Sequence, residues 1–135
     1  MANPDLADRD YAALATFRHA LRVFLRFSED AARAEGLTPN QHQLLLAIRG
    51  FSDGAPSISD LAGLLQLQHH SVVELADRAT DAGYVRREVD AADRRRQRLV
   101  LTTAGTRKLA SLSATHRDEL RRFRDEMADV LTELG

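Results

Sequence analysis

From residue 103 to the end of the chain, one face repeats at steps of three and four: Leu109, Leu112, His116, Leu120, Phe123, Met127, Val130 and Leu134. No other stretch has so regular a period, and it specifies a single helix over about 103–134. At 1.5 Å per residue, a helix from Ala104 to Leu134 would be about 46 Å long. A compact globule of 135 residues is only roughly 36 Å across. Such a helix outruns its own domain, and its apolar seam needs cover from elsewhere. A second copy of the chain, related by a two-fold axis, supplies it symmetrically.

The start of the chain poses the same problem. Tyr11, Leu14, Phe17, Leu21, Phe24 and Phe27 mark one face of a helix over about 6–34, which Gly36 ends. The two terminal helices are therefore expected to form a dimerisation layer around a separate segment, about 38–101, within a single domain over 1–135. In that segment Thr38-Pro39-Asn40-Gln41 is a helix start. Thr38 is the cap, Pro39 needs no amide partner at the first position, and Gln41 closes a capping box. Leu44 to Ile48 follow, with a stop at Gly50 and a loop over Asp53-Gly54-Ala55-Pro56. Ser59 is the expected cap of a short helix carrying Leu61, Ala62, Leu64 and Leu65. After Gln66-Leu67-Gln68, a helix from about His69 to Ala82 turns Val72, Leu75, Ala76 and Ala79 inward, and Gly83 ends it.

Two strands come next, Tyr84–Val89 and Gln97–Leu101, around the turn Asp90 to Arg96. Val85 and Val89 are expected on one face of the first, with Leu99 and Leu101 on one face of the second. Thr102 or Thr103 caps the final helix. Two short helices joined by a tight turn and followed by a hairpin make a winged helix-turn-helix. The fold class is mainly α with a small β-wing.

The net charge is -1, which by itself argues against nucleic acid. The distribution argues the other way. Residues 84–108 hold eight basic side chains against three acidic ones, so this stretch is +5 and the remainder -6. A local patch sets a directed field that the total conceals. The second helix of the pair fits the major groove by its diameter, and Gln68, His69, His70, Ser71, Val73, Glu74 and Arg78 face outward on it. Arg94, Arg95 and Arg96 at the hairpin tip are suited to phosphates or a narrow minor groove. The partner implied is double-stranded DNA with a pseudo-palindromic site. His69 and His70 are each a cap or surface residue or a base reader. They point roughly 100° apart, unlike a metal-binding i, i+4 pair.

Other chemistry is set aside. There is no cysteine, hence no disulfide, thiolate metal site or thiol redox sensor. No nucleophile elbow or Gly-rich phosphate loop is present, so the chain is not expected to be an enzyme or to need a cofactor or metal. No apolar run of about 18 residues and no signal-peptide pattern occur, which makes a soluble cytoplasmic protein the expectation and a membrane role not.

Several segments together resemble the MarR (multiple antibiotic resistance regulator) family. Leu37-Thr38-Pro39-Asn40-Gln41 is similar to its second-helix entry, and Ser57-Ile58-Ser59-Asp60-Leu61-Ala62 to its "(V/I)-S-(E/D)-L-A" segment. Ser71-Val72, Leu75, Asp77-Arg78 and Gly83 resemble its recognition helix. Asp93-Arg94-Arg95 looks like its D-x-R wing motif, and Leu101-Thr102-Thr103-Ala104-Gly105 like its LT-x-x-G exit. The resemblance implies a dimeric transcriptional regulator, more often a repressor, with Arg95 in the minor groove and Asp93 orienting the wing. It also implies a small, often aromatic or phenolic, effector bound between the dimerisation layer and the winged segment, near Arg18, His19 and His42. Glu74 and Ala79 depart from the family's usual residues; Glu74 would repel phosphate, yet it can accept from a cytosine amino group. A winged-helix protein-interaction module and a ligand-independent regulator are the alternatives.

Overall fold

The computed structural model describes residues 5–133. Its elements run α1 (Asp8–Ala34), α2 (Pro39–Gly50), α3 (Ile58–Leu65), α4 (His69–Asp81), β1 (Val85–Val89), β2 (Gln97–Leu101) and α5 (Thr103–Glu133). Leu134, the last position of the expected seam, lies outside the described residues. The chain divides into two units: Met1–Ala31 with Ala114–Gly135, and Ala32–Ser113.

In the first unit, α1 and α5 meet through aromatic side chains. The Phe24 and Phe123 rings lie 5.1 Å apart, and Phe27 presents its ring at a steep angle to His116 at 5.5 Å. His116 is buried and shares a 2.9 Å hydrogen bond between Nε2 and Ser28 Oγ, which satisfies a polar ring on an apolar seam. The buried line of α1 includes Ala13 and Ala20, small residues that permit close approach. Phe17, Leu21, Phe24 and Phe27 are half-buried, whereas Tyr11 and Leu14 from the expected face are exposed. On α5, Leu120 and Leu131 are 50% and 66% exposed.

The second unit packs α2, α3, α4 and the hairpin around Leu44, Leu45, Leu61, Val72, Leu75, Ala76, Ala79, Val85 and Leu99. Thr38 caps α2 with the full capping box to Gln41. The cap of α3 is Ser57, not Ser59, and it too forms a capping box, with Asp60. The reason is the third helical residue: Ser57 has an acidic partner there, whereas from Ser59 the same position is Ala62, which has no acceptor. Gln66 turns the chain between α3 and α4 in the left-handed region, φ 54°. At the end of α4, Gly83 at φ 83° completes a Schellman motif, with the Tyr84 N–H bonded to the Ala79 carbonyl.

The hairpin is antiparallel, pairing Val85 with Leu101, Arg87 with Leu99 and Val89 with Gln97. Val85 and Leu99 are buried, but Val89 is 61% exposed, because it stands at the outer end of the hairpin beyond the core. Thr102 closes the wing. Its Oγ1 donates to the Gly83 carbonyl at 2.5 Å and accepts from the Gly105 N–H at 3.1 Å, which starts α5.

Candidate nucleic-acid interface

α4 exposes one polar side and buries the other. Val72, Leu75, Ala76 and Ala79 are buried, while Gln68, His69, His70, Glu74 and Arg78 are exposed and Ser71 and Val73 half-exposed. The Gln68 side chain makes no capping bond; its carbonyl accepts from the Ser71 and Val72 N–H groups at 3.0 and 3.2 Å. The face is thus built from six side chains on one helix of about 20 Å, with Gln68 at its N-cap.

The wing is tied to that helix. The Arg87 guanidinium on β1 is paired with the Asp77 carboxylate on α4. Beyond it, residues 90–96 form a turn organised by two aspartates. Asp93 Oδ1 accepts from the Arg95 backbone N–H at 3.0 Å and from Arg95 Nε at 3.3 Å. The Arg95 side chain is nonetheless 92% exposed, so it is steered without being covered. Arg94 and Arg96 are exposed beside it, and Arg96 reaches Ser57 Oγ at 3.5 Å. A groove of about 310 Å³ separates this tip from the start of α4, lined by Ser57, Ser59, His69, Val73, Arg95 and Arg96. Of the residues named from the sequence, His69, Val73, Arg95 and Arg96 thus line one groove, while Ser71, Glu74 and Arg78 line another with Asn40 and Leu67.

Sequence reasoning did not single out Asp90 and Arg98. Asp90 Oδ1 accepts from the Ala92 N–H at 2.8 Å, and its Oδ2 accepts from Arg98 Nε at 2.9 Å. The Ala92 amide holds the Asp90 carboxyl below the ordinary carboxylate value. Burial opposes that lowering, and Arg98 adds to it. The only sign in the sequence is the position of an aspartate at the head of a turn, which serves many turns equally well.

The three effector candidates are placed differently. Arg18 and His19 are exposed on α1 in the first unit, and His42 is buried in the second. Among the described residues, no group of three or more His, Asp or Glu could hold a metal ion, and no helix is long and apolar enough to cross a membrane.

Residues 35–96 match the model of the MarR family, a span that takes in α2, α3, α4, β1 and the wing turn. Over that segment, 62 of its 135 residues, the chain is similar to the MarR family. It is 27% identical over 117 residues to a Thauera aromatica protein named as a transcriptional regulatory protein for the hcr operon, covering 82% of this chain and 69% of that one. AbsC, a MarR family transcriptional regulator from Streptomyces coelicolor, superimposes with a TM-score of 0.76 at 26% identity, over 98% of this chain and 90% of AbsC. At lower identity the likeness is one of fold. The S. aureus MepR–DNA complex gives a TM-score of 0.69 at 20% identity, over 87% of this chain and 92% of MepR. Apo MarR from E. coli gives 0.71 at 19%, over 87% of each chain.

Proposed function

We propose that the chain is a DNA-binding transcriptional regulator of the MarR family, not an enzyme, and acts in the cytoplasm as a homodimeric repressor. In this reading each subunit lays α4 in a major groove of a pseudo-palindromic operator and sets its wing in the neighbouring minor groove. Arg95 enters the minor groove, Arg94 and Arg96 meet phosphates, and Asp93 orients Arg95. Gln68, His69, His70, Ser71, Val73, Glu74 and Arg78 supply the α4 contacts. The observation that carries this is the wing tip itself: an arginine 92% exposed yet fixed at its backbone and side chain by Asp93, on the same unit as a helix with an exposed polar face. MepR, with which the chain shares its fold, has been crystallised on DNA.

The homodimer is supported by the apolar side chains left exposed on α1 and α5, including Tyr11, Leu14, Leu120 and Leu131. Burying such side chains is worth roughly 1.5 to 3 kcal/mol each. A small aromatic or phenolic acid is the effector class, with Arg18, His19 and His42 as candidate partners for its polar groups.

The test is a mobility shift with duplexes from the DNA adjoining the gene, at several salt concentrations, with and without a panel of aromatic acids. A salt-sensitive shift of one duplex, relieved by an acid that also raises the melting temperature, is the expected result. Absence of any shift at low salt would overturn the DNA reading. A shift that no acid relieves would leave a ligand-independent regulator.

A further inference from the structure

Asp90 and Arg98 fall outside the residues assigned above to DNA contact, yet a continuous line of hydrogen bonds passes through them. It begins in the loop before α3, where the Ala55 carbonyl accepts from Arg98 Nη1 at 2.6 Å. The same guanidinium turns its Nε and Nη2 to Asp90 Oδ2, at 2.9 and 2.8 Å. The other carboxylate oxygen, Oδ1, accepts from the backbone N–H groups of Ala92 and Asp93, at 2.8 and 3.4 Å. Asp93 in turn holds Arg95. The Asp90 side chain is 9% exposed and that of Arg98 31%, so the line is shielded from water for much of its length.

A two-stranded hairpin has little stability of its own, and its tip is the part least held by a core. A flexible tip must be ordered when it meets its partner, and that ordering subtracts from affinity. A planar guanidinium with a fixed fork of donors suits a rigid tie between a carboxylate and a carbonyl.

We propose that Asp90 and Arg98 are positioning residues, a strut from the α3 loop to the wing turn that sets Arg95 in place before DNA arrives. This rests on the reading of the wing as a DNA contact. Asp90→Asn separates the strut from the turn: the amide oxygen can still accept from Ala92, but the amide nitrogen meets the donors of Arg98. Arg98→Gln cuts the strut from the other end and leaves the carboxylate. Neither change touches the base of the wing, where the Leu99 N–H bonds to the Pro56 carbonyl at 2.9 Å and the two strands stay paired.

The test uses the full chain and two labelled duplexes, one selected by the wild-type protein from a random pool and one scrambled. Asp90→Asn and Arg98→Gln should each weaken binding to both duplexes about 5- to 20-fold, with the ratio between them unchanged. Arg98→Lys, which keeps the charge, should recover part of the loss. In an Arg95→Ala background the same substitutions should change affinity less than about twofold, because the wing then has no arginine to place. Wild-type affinity in Asp90→Asn would overturn the strut. So would an equal loss with and without Arg95, which would mark a merely structural role. If the wild-type chain binds no duplex, the DNA reading fails first, and hydrogen exchange decides the strut separately. Exchange at the Ala92 and Asp93 amides should be faster in Arg98→Gln than in wild type, and equal rates would overturn the proposal.

Discussion

Arg95 and His70 stand on the same unit but are expected to act differently, because phosphate and minor-groove contacts supply affinity while base edges supply discrimination. Arg95→Ala should weaken binding to every duplex and flatten the dependence of log K on log salt by about one to two units for a dimer. Substitutions at His70 or Ser71 should instead change the preference between related sites, by about 1 to 3 kcal/mol for each affected base pair. Binding isotherms at several salt concentrations separate the two, and an unchanged slope in Arg95→Ala would remove the wing from the DNA. Acid stability is expected to depend on other residues. The Asp60 carboxyl is lowered from its ordinary 3.8, first by the Ser57 backbone N–H and then by the Ser57 hydroxyl, against burial. Asp90 is lowered likewise, first by the Ala92 N–H. A carboxylate with a depressed folded-state pKa contributes stability in full above its unfolded value, and that contribution is lost as pH falls through the folded value. Melting temperature should therefore fall below about pH 4, and less steeply in Asp60→Asn and Asp90→Asn. Parallel pH profiles for wild type and variants would show that these carboxylates do not govern acid stability.

Between one element and the next, the junctions explain which motif residues are obligatory. Gly105 sits in the first turn of α5, and a Cβ placed there would come within 2.1 Å of the Tyr84 carbonyl oxygen. The glycine of the LT-x-x-G exit is thus required by the closing of the wing, where Thr102 bonds to the Tyr84 and Gly83 carbonyls. Gly105→Ala should destabilise the protein by about 1 to 3 kcal/mol through overpacking, as read by denaturant melts, and a neutral effect would mean the junction can open freely. Ser57→Ala should remove about 1 kcal/mol, while Ser59→Ala at a non-capping position should be near neutral. This pair also shows how far the sequence can be read. Periodicity and caps located every helix and both strands to within a residue or two, because those signals are local. Choosing Ser57 over Ser59 needed the capping partner three residues on, a local signal that was present in Asp60. The exposure of Val89 could not be read from alternation, since a strand can extend past the core it packs on. Arg98 was illegible as a tie for a different reason: its partner carbonyl, at Ala55, lies 43 residues earlier, and no sequence period reports a contact at that separation.

For the whole molecule, the outstanding question is what covers the terminal helices. α5 runs for 31 residues, about 46 Å, and leaves Leu120 half exposed and Leu131 two-thirds exposed. On α1, Tyr11 and Leu14 are similarly open. A homodimer buries such surfaces in pairs, and it gives the DNA two recognition helices about one helical turn apart. The substitutions Leu120→Glu and Leu131→Glu place charges on this surface without entering a core, because both side chains are largely solvent-exposed in the single chain. The double variant should keep its helical circular dichroism and sediment as a monomer at micromolar concentration, where the wild-type chain sediments as a dimer. Its affinity for a palindromic duplex should fall by about 10² to 10⁴, the gain that linking two binding modules supplies. Its affinity for an isolated half-site should change little, since the winged unit of residues 32–113 is untouched. A wild-type chain that is soluble and monomeric at micromolar concentration would remove the dimer. A double variant that stays dimeric would place the interface on another surface and free Leu120 and Leu131 from any part in it.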